Sequence, residues 1–196
     1  MSRKPKIGSK ILFVVIAFAA TAALTFAIVY LPGKIGKLNV EMEGDSMAST
    51  ILNGEKLIIE KSFYLRNGDI VYIDCSRANL LGDGGVVSSE GIEQNLIKRV
   101  IAMGGQTVEF DFSKGKVLVD DEPLDEPYVQ EPTYSSMGNA FEYPITVPAG
   151  YVYVLGDNRN NARDSRDEKI GLIAEEQILG KIVLKINPEG KKEPVI

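Results

Sequence analysis

The sequence predicts a mostly β domain that is preceded by a single N-terminal transmembrane helix. Residues 11–31 form an uninterrupted run of 21 residues without a charged side chain. Beyond this run, short segments rich in β-branched and aromatic residues recur, and Gly, Asn and Pro separate them. Helical periodicity is scarce in that part of the chain, which favours strands over helices as the main element.

The predicted transmembrane helix comes first in the chain. A helix over residues 11–31 would be about 31 Å long, which matches a hydrocarbon core of about 30 Å. Four basic residues in the tail 1–10 predict that this tail is cytoplasmic and that residues 33–196 lie outside the cytoplasm. A cleaved signal peptide is the alternative, but its apolar region is usually only about 7–15 residues long. The lipid bilayer is therefore an expected partner, and the expected location is the cell membrane with a single span.

The remaining elements follow in order along the domain. Ser113-Lys114-Gly115 predicts a hairpin turn, and residues 174–179 predict one short helix. The predicted strands are Leu38–Glu43, Lys56–Glu60, Asp69–Asp74, Leu96–Ala102, Thr107–Phe112, Lys116–Val119, Tyr151–Leu155 and Lys181–Ile186.

Two segments between these strands are interpreted as insertions. Residues 78–94 contain a Gly-rich stretch and are predicted to be an exposed loop. Residues 119–148 contain five prolines and many acidic residues, so a small, irregular β cap is expected there.

The composition excludes several classes of function. The chain has no His, which removes Ser-His-Asp catalysis and His-ligated metal sites. Its single Cys cannot form a disulfide within the chain. A net charge of −5 argues against a nucleic-acid partner that binds through bulk positive charge. We expect neither a metal nor a cofactor, and we expect a monomer.

Three segments carry groups that are capable of chemistry. Ser46 lies in a turn after a predicted strand, Lys98 lies in an apolar strand, and residues 156–166 form a polar loop. Taken singly, each has a purely structural explanation, because turn serines bond to backbone, strand lysines reach water and polar loops are solvated. Their occurrence together and in this order favours a functional interpretation.

The order of these segments resembles that of the bacterial type I signal peptidases, which are membrane-bound Ser/Lys proteases. The resemblance is colinear, covers nearly the whole chain and includes the basic start and the anchor. Its four motifs are Glu43–Leu52, Arg66–Val71, Ile97–Gly105 and Gly156–Arg166.

The resemblance implies that Ser46 is the nucleophile and Lys98 the general base. A lysine has a pKa near 10.4, whereas a useful base at neutral pH needs a pKa near 7–8. Apolar neighbours of Lys98 on its strand would supply the necessary desolvation. The oxyanion would need a backbone N–H close to Ser46.

The resemblance also implies where the substrate binds. The strands before the nucleophile and before the lysine would flank an extended peptide, whose main chain is recognised largely independently of its sequence. Small pockets would then select small side chains, by the Ala-x-Ala rule of the family. The implied substrate-binding residues are Asn39, Val40, Glu41, Met42, Glu43, Gly44, Asn95, Leu96 and Ile97.

Charged residues of the last motif are expected to support the site. By resemblance, Asp157 would pair with Arg99, and Asp164 would pair with Arg166. These four residues are expected to have a structural role and no direct part in the chemistry.

The chain departs from the family pattern at two positions. Ser49 replaces a usual proline, which removes a fixed φ angle. Ala162 replaces a usual serine that orients the lysine, so the orientation of Lys98 would depend on Ser46, a backbone carbonyl or water. Gly44, two residues before Ser46, offers no hydroxyl to the oxyanion either.

The function expected from the sequence is removal of signal peptides from exported preproteins. A non-proteolytic family member that acts as an assembly chaperone for a surface structure is an alternative. Retention of Ser46 and Lys98 favours catalysis, while Ala162 is the only support for the chaperone. A soluble self-cleaving repressor of related fold is opposed by the anchor and by the lack of a DNA-binding segment.

Overall fold

The structure is a computed structural model that describes residues 38–61 and 64–195. Nearly all of their regular secondary structure is strand, which confirms the mostly β fold class. The predicted tail 1–10 and the predicted helix 11–31 lie outside the described residues. No helix among the described residues is sufficiently long and apolar to cross a bilayer.

The described part of the chain contains fourteen strands and one short 3-10 turn at Glu175–Gln177. The strands are β1 Leu38–Glu41, β2 Lys56–Glu60, β3 Ile70–Asp74, β4 Arg77–Gly82, β5 Gly85–Glu90, β6 Asn95–Met103, β7 Thr107–Asp111, β8 Lys116–Val119, β9 Glu122–Pro123, β10 Ile145–Thr146, β11 Tyr151–Leu155, β12 Ile173–Ala174, β13 Ile178–Ile186 and β14 Lys192–Pro194.

All eight predicted strands are present, with shifts at their ends. The predicted hairpin is also confirmed, because β7 and β8 pair across the turn at residues 112–115. The predicted helix at 174–179 is wrong, since only one 3-10 turn forms and Ile178 then pairs with Ile73 of β3. The predicted loop at 78–94 is wrong as well, because β4 and β5 form a regular hairpin.

One large antiparallel sheet carries most of the structure. Its strand order is β1-β2-β13-β3-β6-β11-β12, and β14 pairs with β13. The strands β6 and β13 are the longest of this sheet. The first half of β6 pairs with β3, and its second half pairs with β11. Residues 95–98 of β6 pair only with β3 among the described strands, so their second edge is open.

A smaller sheet and an irregular segment follow β6. Strands β10, β7, β8 and β9 form a four-stranded sheet in that order. Residues 124–144 connect β9 to β10 without any helix or strand. The segment 119–148, for which a cap was predicted, therefore contains the end of β8, two short strands and this irregular connection.

A buried apolar cluster joins β2, β3, β6 and β13 to the segment that follows β1. Full burial of one such side chain stabilises the fold by about 1.5–3 kcal/mol, so the turn is firmly attached to the sheet. The cluster consists of Met42, Met47, Ile51, Leu57, Ile59, Ile70, Ile97 and Ile182.

Candidate active site

The turn at residues 45–50 presents Ser46 at the surface of the large sheet. Within this turn, the N–H of Ile51 donates to the carbonyl of Met47 at 2.9 Å. Both Met47 and Ile51 are completely buried, whereas Ser46 is only half-buried. Because its neighbours are fixed in the core, the Ser46 hydroxyl is held in place while remaining accessible.

A residue of the last motif fixes the backbone of the same turn from the other side. The N–H of Asn158 donates to the carbonyl of Ser46 at 3.1 Å. Its side-chain amide donates to the carbonyl of Asp45 at 3.0 Å. Two successive peptide units around Ser46 are therefore held by one asparagine.

Lys98 reaches Ser46 from β6, although the two residues lie 52 positions apart. Its Nζ lies 2.7 Å from the Oγ of Ser46 and donates to the carbonyl of Ile97 at 2.8 Å. The side chain is only 1% exposed. The structure thus brings together the two residues that the sequence indicated as nucleophile and base.

Burial sets the electrostatic state of this lysine. Loss of water around the ammonium lowers the pKa of Lys98 to about 8, and the negative charges of Asp164 and Asp157 oppose this shift. A substantial fraction of the amine is therefore neutral near physiological pH. A neutral amine 2.7 Å from a hydroxyl is within reach to accept its proton.

Both ion pairs implied by the resemblance are present around the site. Arg99 makes two hydrogen bonds to Asp157, at 2.9 and 2.7 Å. Arg166 likewise makes two hydrogen bonds to Asp164, at 2.8 and 2.7 Å. All four side chains are almost completely buried. Arg99 also donates to the carbonyl of Gly68, which connects it to the motif at residues 66–71.

An open cavity of about 210 Å³ lies beside Ser46 and Lys98. It extends between β1 with its following turn and the start of β6. Of the expected substrate-binding residues, only Asn39 and Gly44 do not line it. The lining residues are Val40, Glu41, Met42, Glu43, Ser46, Tyr72, Gln94, Asn95, Leu96, Ile97 and Lys98.

Sequence reasoning missed two residues of this cavity and one that supports the turn. Tyr72 lies opposite Ile97 in the β3–β6 pair, and its hydroxyl accepts a hydrogen bond from Asn95 at 2.9 Å. Gln94 immediately precedes β6. Asn158 stands inside a motif that the sequence did single out, so proximity to Asp157 was the signal available for it.

The structure shows the surroundings of both departures from the family pattern. Ser49 has a φ of 85°, which proline cannot adopt because its ring fixes φ near −65°. Its hydroxyl donates to the carbonyl of Tyr128 at 2.7 Å. Ala162 is buried, and the carbonyl of Ile97 serves as the additional partner of the Lys98 amine.

Comparisons with known proteins identify the family of the chain. The family described as "Signal peptidase, peptidase S26" matches residues 10–186. "Probable signal peptidase I-1" of Synechocystis sp. is 35% identical over 151 residues, which is 75% of this chain and 69% of that protein. "Signal peptidase I U" of Bacillus subtilis is 26% identical over 199 residues, which is 97% of this chain and 94% of that protein.

A crystal structure of a signal peptidase I from Enterococcus faecalis is similar with a TM-score of 0.43 and 22% identity, covering 60% of this chain and 96% of that one. The family match extends over far more than half of the sequence, and two relatives match most of their own length. The chain therefore belongs to the signal peptidase family, peptidase S26.

Proposed function

We propose that this member of the Ser/Lys signal peptidase family cleaves signal peptides from secreted preproteins with Ser46 as nucleophile and Lys98 as general base. The observation that carries the residue assignment is the 2.7 Å contact between Oγ and Nζ. Burial of the lysine supports it further, because the lowered pKa leaves a neutral amine near pH 8.

The proposed reaction has two halves. The neutral Lys98 amine takes the proton of Ser46 as its oxygen attacks the scissile carbonyl, and the resulting ammonium then protonates the leaving amine. In the second half, Lys98 takes a proton from the water that attacks the ester, and it returns this proton to the Oγ of Ser46 as the bond between Oγ and the acyl carbon breaks. We assign the backbone N–H of Ser46 as a donor to the developing oxyanion.

We further propose that the substrate binds as an extended strand in the cavity. The open edge of β6 at residues 95–98 offers main-chain groups to such a peptide. Alternate side chains of a strand point to opposite faces, so every second residue of the peptide would face the cavity. A cavity of about 210 Å³ that must also hold the peptide backbone favours small side chains, which agrees with an Ala-x-Ala preference.

The charged first segment supports a proposal about location. We propose that residues 11–31 anchor the chain and that residues 33–196 lie outside the cytoplasm, on the side where exported preproteins emerge. Protease added to intact protoplasts is expected to degrade the catalytic domain. Complete protection of that domain would contradict the orientation, and a mature chain starting after residue 22 would contradict the anchor.

The assignment of the two residues is tested with the full chain in detergent and a model precursor. Ser46→Ala and Lys98→Ala are each expected to abolish cleavage. The two residues act as one unit, so the loss of either reduces the rate about as much as the loss of both. Lys116→Ala, which changes an exposed lysine on β8, is the matched control and should cleave like the wild type. Turnover in a folded Lys98→Ala protein would refute the base, and an inactive wild type would favour the chaperone alternative.

A further inference from the structure

Tyr128 lies outside the strands of the site, in the irregular segment 124–144, yet it contacts a residue on the strand of Lys98 and a residue in the turn of Ser46. On one side, the guanidinium of Arg99 lies over its ring, 3.8 Å from the centroid. On the other side, its carbonyl accepts the hydrogen bond from the hydroxyl of Ser49. A single residue therefore connects the lysine strand with the serine turn.

The contact with Arg99 links Tyr128 to the strand of Lys98 and, through Asp157, to the turn of Ser46. Arg99 follows Lys98 directly in β6, so the orientation of its side chain is tied to the backbone that carries the base. Its partner Asp157 also accepts a hydrogen bond from the hydroxyl of Thr50 at 2.5 Å. The ring of Tyr128 thus covers the arginine through which β6 and the turn are joined.

The contact with Ser49 acts on the turn itself. Ser49 lies three residues after Ser46 and has a φ of 85°, a conformation that residues other than glycine seldom adopt. Such a conformation persists only when the surroundings determine it. The 2.7 Å hydrogen bond from the Ser49 hydroxyl to the carbonyl of Tyr128 helps to hold Ser49 in this conformation.

Tyr128 is itself held firmly enough to serve as a support. A second guanidinium, that of Arg159, lies 5.9 Å from the centroid of its ring. Arg159 is anchored by an ion pair of 2.5 Å to Glu126 and by a hydrogen bond to Thr133. Both partners belong to the same stretch of chain as Tyr128.

We infer that Tyr128 is a positioning residue for proton transfer between Ser46 and Lys98. It fixes the serine turn through its backbone carbonyl and the lysine strand through its ring. The inference rests on the proposed function, because it assumes that these two residues carry the chemistry. Small misplacements of reacting groups strongly reduce the rate of the chemical step even when substrate binding is intact. Loss of the Tyr128 contacts should therefore lower kcat more than it changes KM.

The first test removes the ring contact. Tyr128→Leu in the full chain is expected to lower kcat on a precursor peptide by roughly three- to thirtyfold, with KM changed less than about twofold. Tyr128→Phe keeps a ring over Arg99 and is expected to retain at least about half of the wild-type kcat. Tyr134→Leu, which changes an exposed tyrosine of the same segment, is the matched control.

The second test removes the hydroxyl contact without changing Tyr128. Ser49→Gly deletes the hydrogen bond and also relieves the unfavourable φ, so a fall in kcat reports the lost contact and not strain. We expect a fall of about two- to tenfold.

The outcomes separate the inference from the proposed function. A wild type that cleaves, beside an inactive Ser46→Ala, upholds the function, and an unchanged kcat in either folded Tyr128→Leu or Ser49→Gly then overturns the inference alone. A change confined to KM, or an equal loss in Tyr134→Leu, overturns it as well. An inactive wild type overturns both. If Tyr128→Leu does not fold, the Ser49→Gly result decides.

Discussion

Lys98 acts as a candidate base only because its surroundings withhold water from its amine. Its side chain is 1% exposed and has two hydrogen-bond partners, Ser46 and the carbonyl of Ile97. Charged carboxylates nearby favour the ammonium, so the pKa falls to about 8 and no further. The residue types and motifs predicted this pair, but the contact itself depends on a fold that the sequence does not display.

The pH dependence of cleavage tests this balance. The neutral amine is the active form, so kcat/KM is expected to rise with pH and to level off above an apparent pKa of about 8. Steady-state kinetics between pH 6 and 10.5 would define the profile. A rise centred near 10.5, the ordinary value for lysine, would mean that water reaches Lys98 and that the site does not tune it.

Ala162 tests whether the missing hydroxyl matters. Because the carbonyl of Ile97 already orients the Lys98 amine, Ala162→Ser is expected to change kcat by no more than about twofold, well below the tenfold that a new hydrogen bond can give. Ala149→Ser, at an exposed position, is the control. A gain near tenfold with unchanged KM would show that the carbonyl is an inadequate substitute for the family serine.

At the scale of elements, the sequence predicted strands whose residues are buried in the core, and it did not predict the hairpin that depends on polar contacts with distant residues. The uninterrupted apolar run of β6 was recognisable, because this strand is buried on both faces from Ile97 to Ala102. The β4–β5 hairpin was missed, since its second strand is polar and exposed and its turn is rich in glycine. Its base is held by Asn79, which bonds to the carbonyl of Leu172 and to Gln177, and such distant partners leave no local pattern.

Gly156, at the start of the last motif, packs so closely against its neighbours that a substitution there is a useful test. A Cβ added at Gly156 would lie 2.4 Å from the Cβ of Ala162 and 2.5 Å from the carbonyl oxygen of Ser46. Gly156→Ala must therefore shift the backbone at residue 156, the segment around Ala162 or the nucleophile turn.

We expect Gly156→Ala to lower kcat by at least about tenfold, which corresponds to about 1.4 kcal/mol of lost transition-state stabilisation. Gly84→Ala is the matched control, because an added Cβ there meets open space and the residue is far from the site in the β4–β5 turn. The measurement is steady-state cleavage of one precursor peptide, with thermal unfolding to compare stability. Wild-type kcat in Gly156→Ala would show that the turn adapts without loss.

At the scale of the whole molecule, the active site is a product of strand order. Ser46 follows β1 and Lys98 lies on β6, and these strands are separated in the sheet by β2, β13 and β3. The sequence predicted that Ser46 follows a strand and that Lys98 lies within one, but it did not predict the order of the strands in the sheet. The same gap explains why Tyr72 was missed, since its place in the cavity follows from the pairing of β3 with β6.

The buried lysine also affects the stability of the entire domain. The pKa of Lys98 is about 8 in the folded state, whereas its ordinary value is 10.5. Folding at neutral pH must therefore remove water from an ammonium group, which costs about 3 kcal/mol. The unfolded chain binds more protons at this site between pH 8 and 10.5. The free energy of unfolding therefore rises with pH in that window, and the penalty is complete below it.

Replacement of Lys98 by an apolar side chain of similar length isolates this contribution. We expect Lys98→Met to be inactive and to exceed the wild type in free energy of unfolding at pH 7 by up to about 3 kcal/mol. The difference should shrink toward zero as pH rises from about 8 to 10.5, because the wild type alone gains stability there. Denaturant unfolding of both proteins in the same detergent, at several pH values, supplies the measurement. All other groups titrate in both proteins, so a difference that stays constant across this window would show that Lys98 is not desolvated.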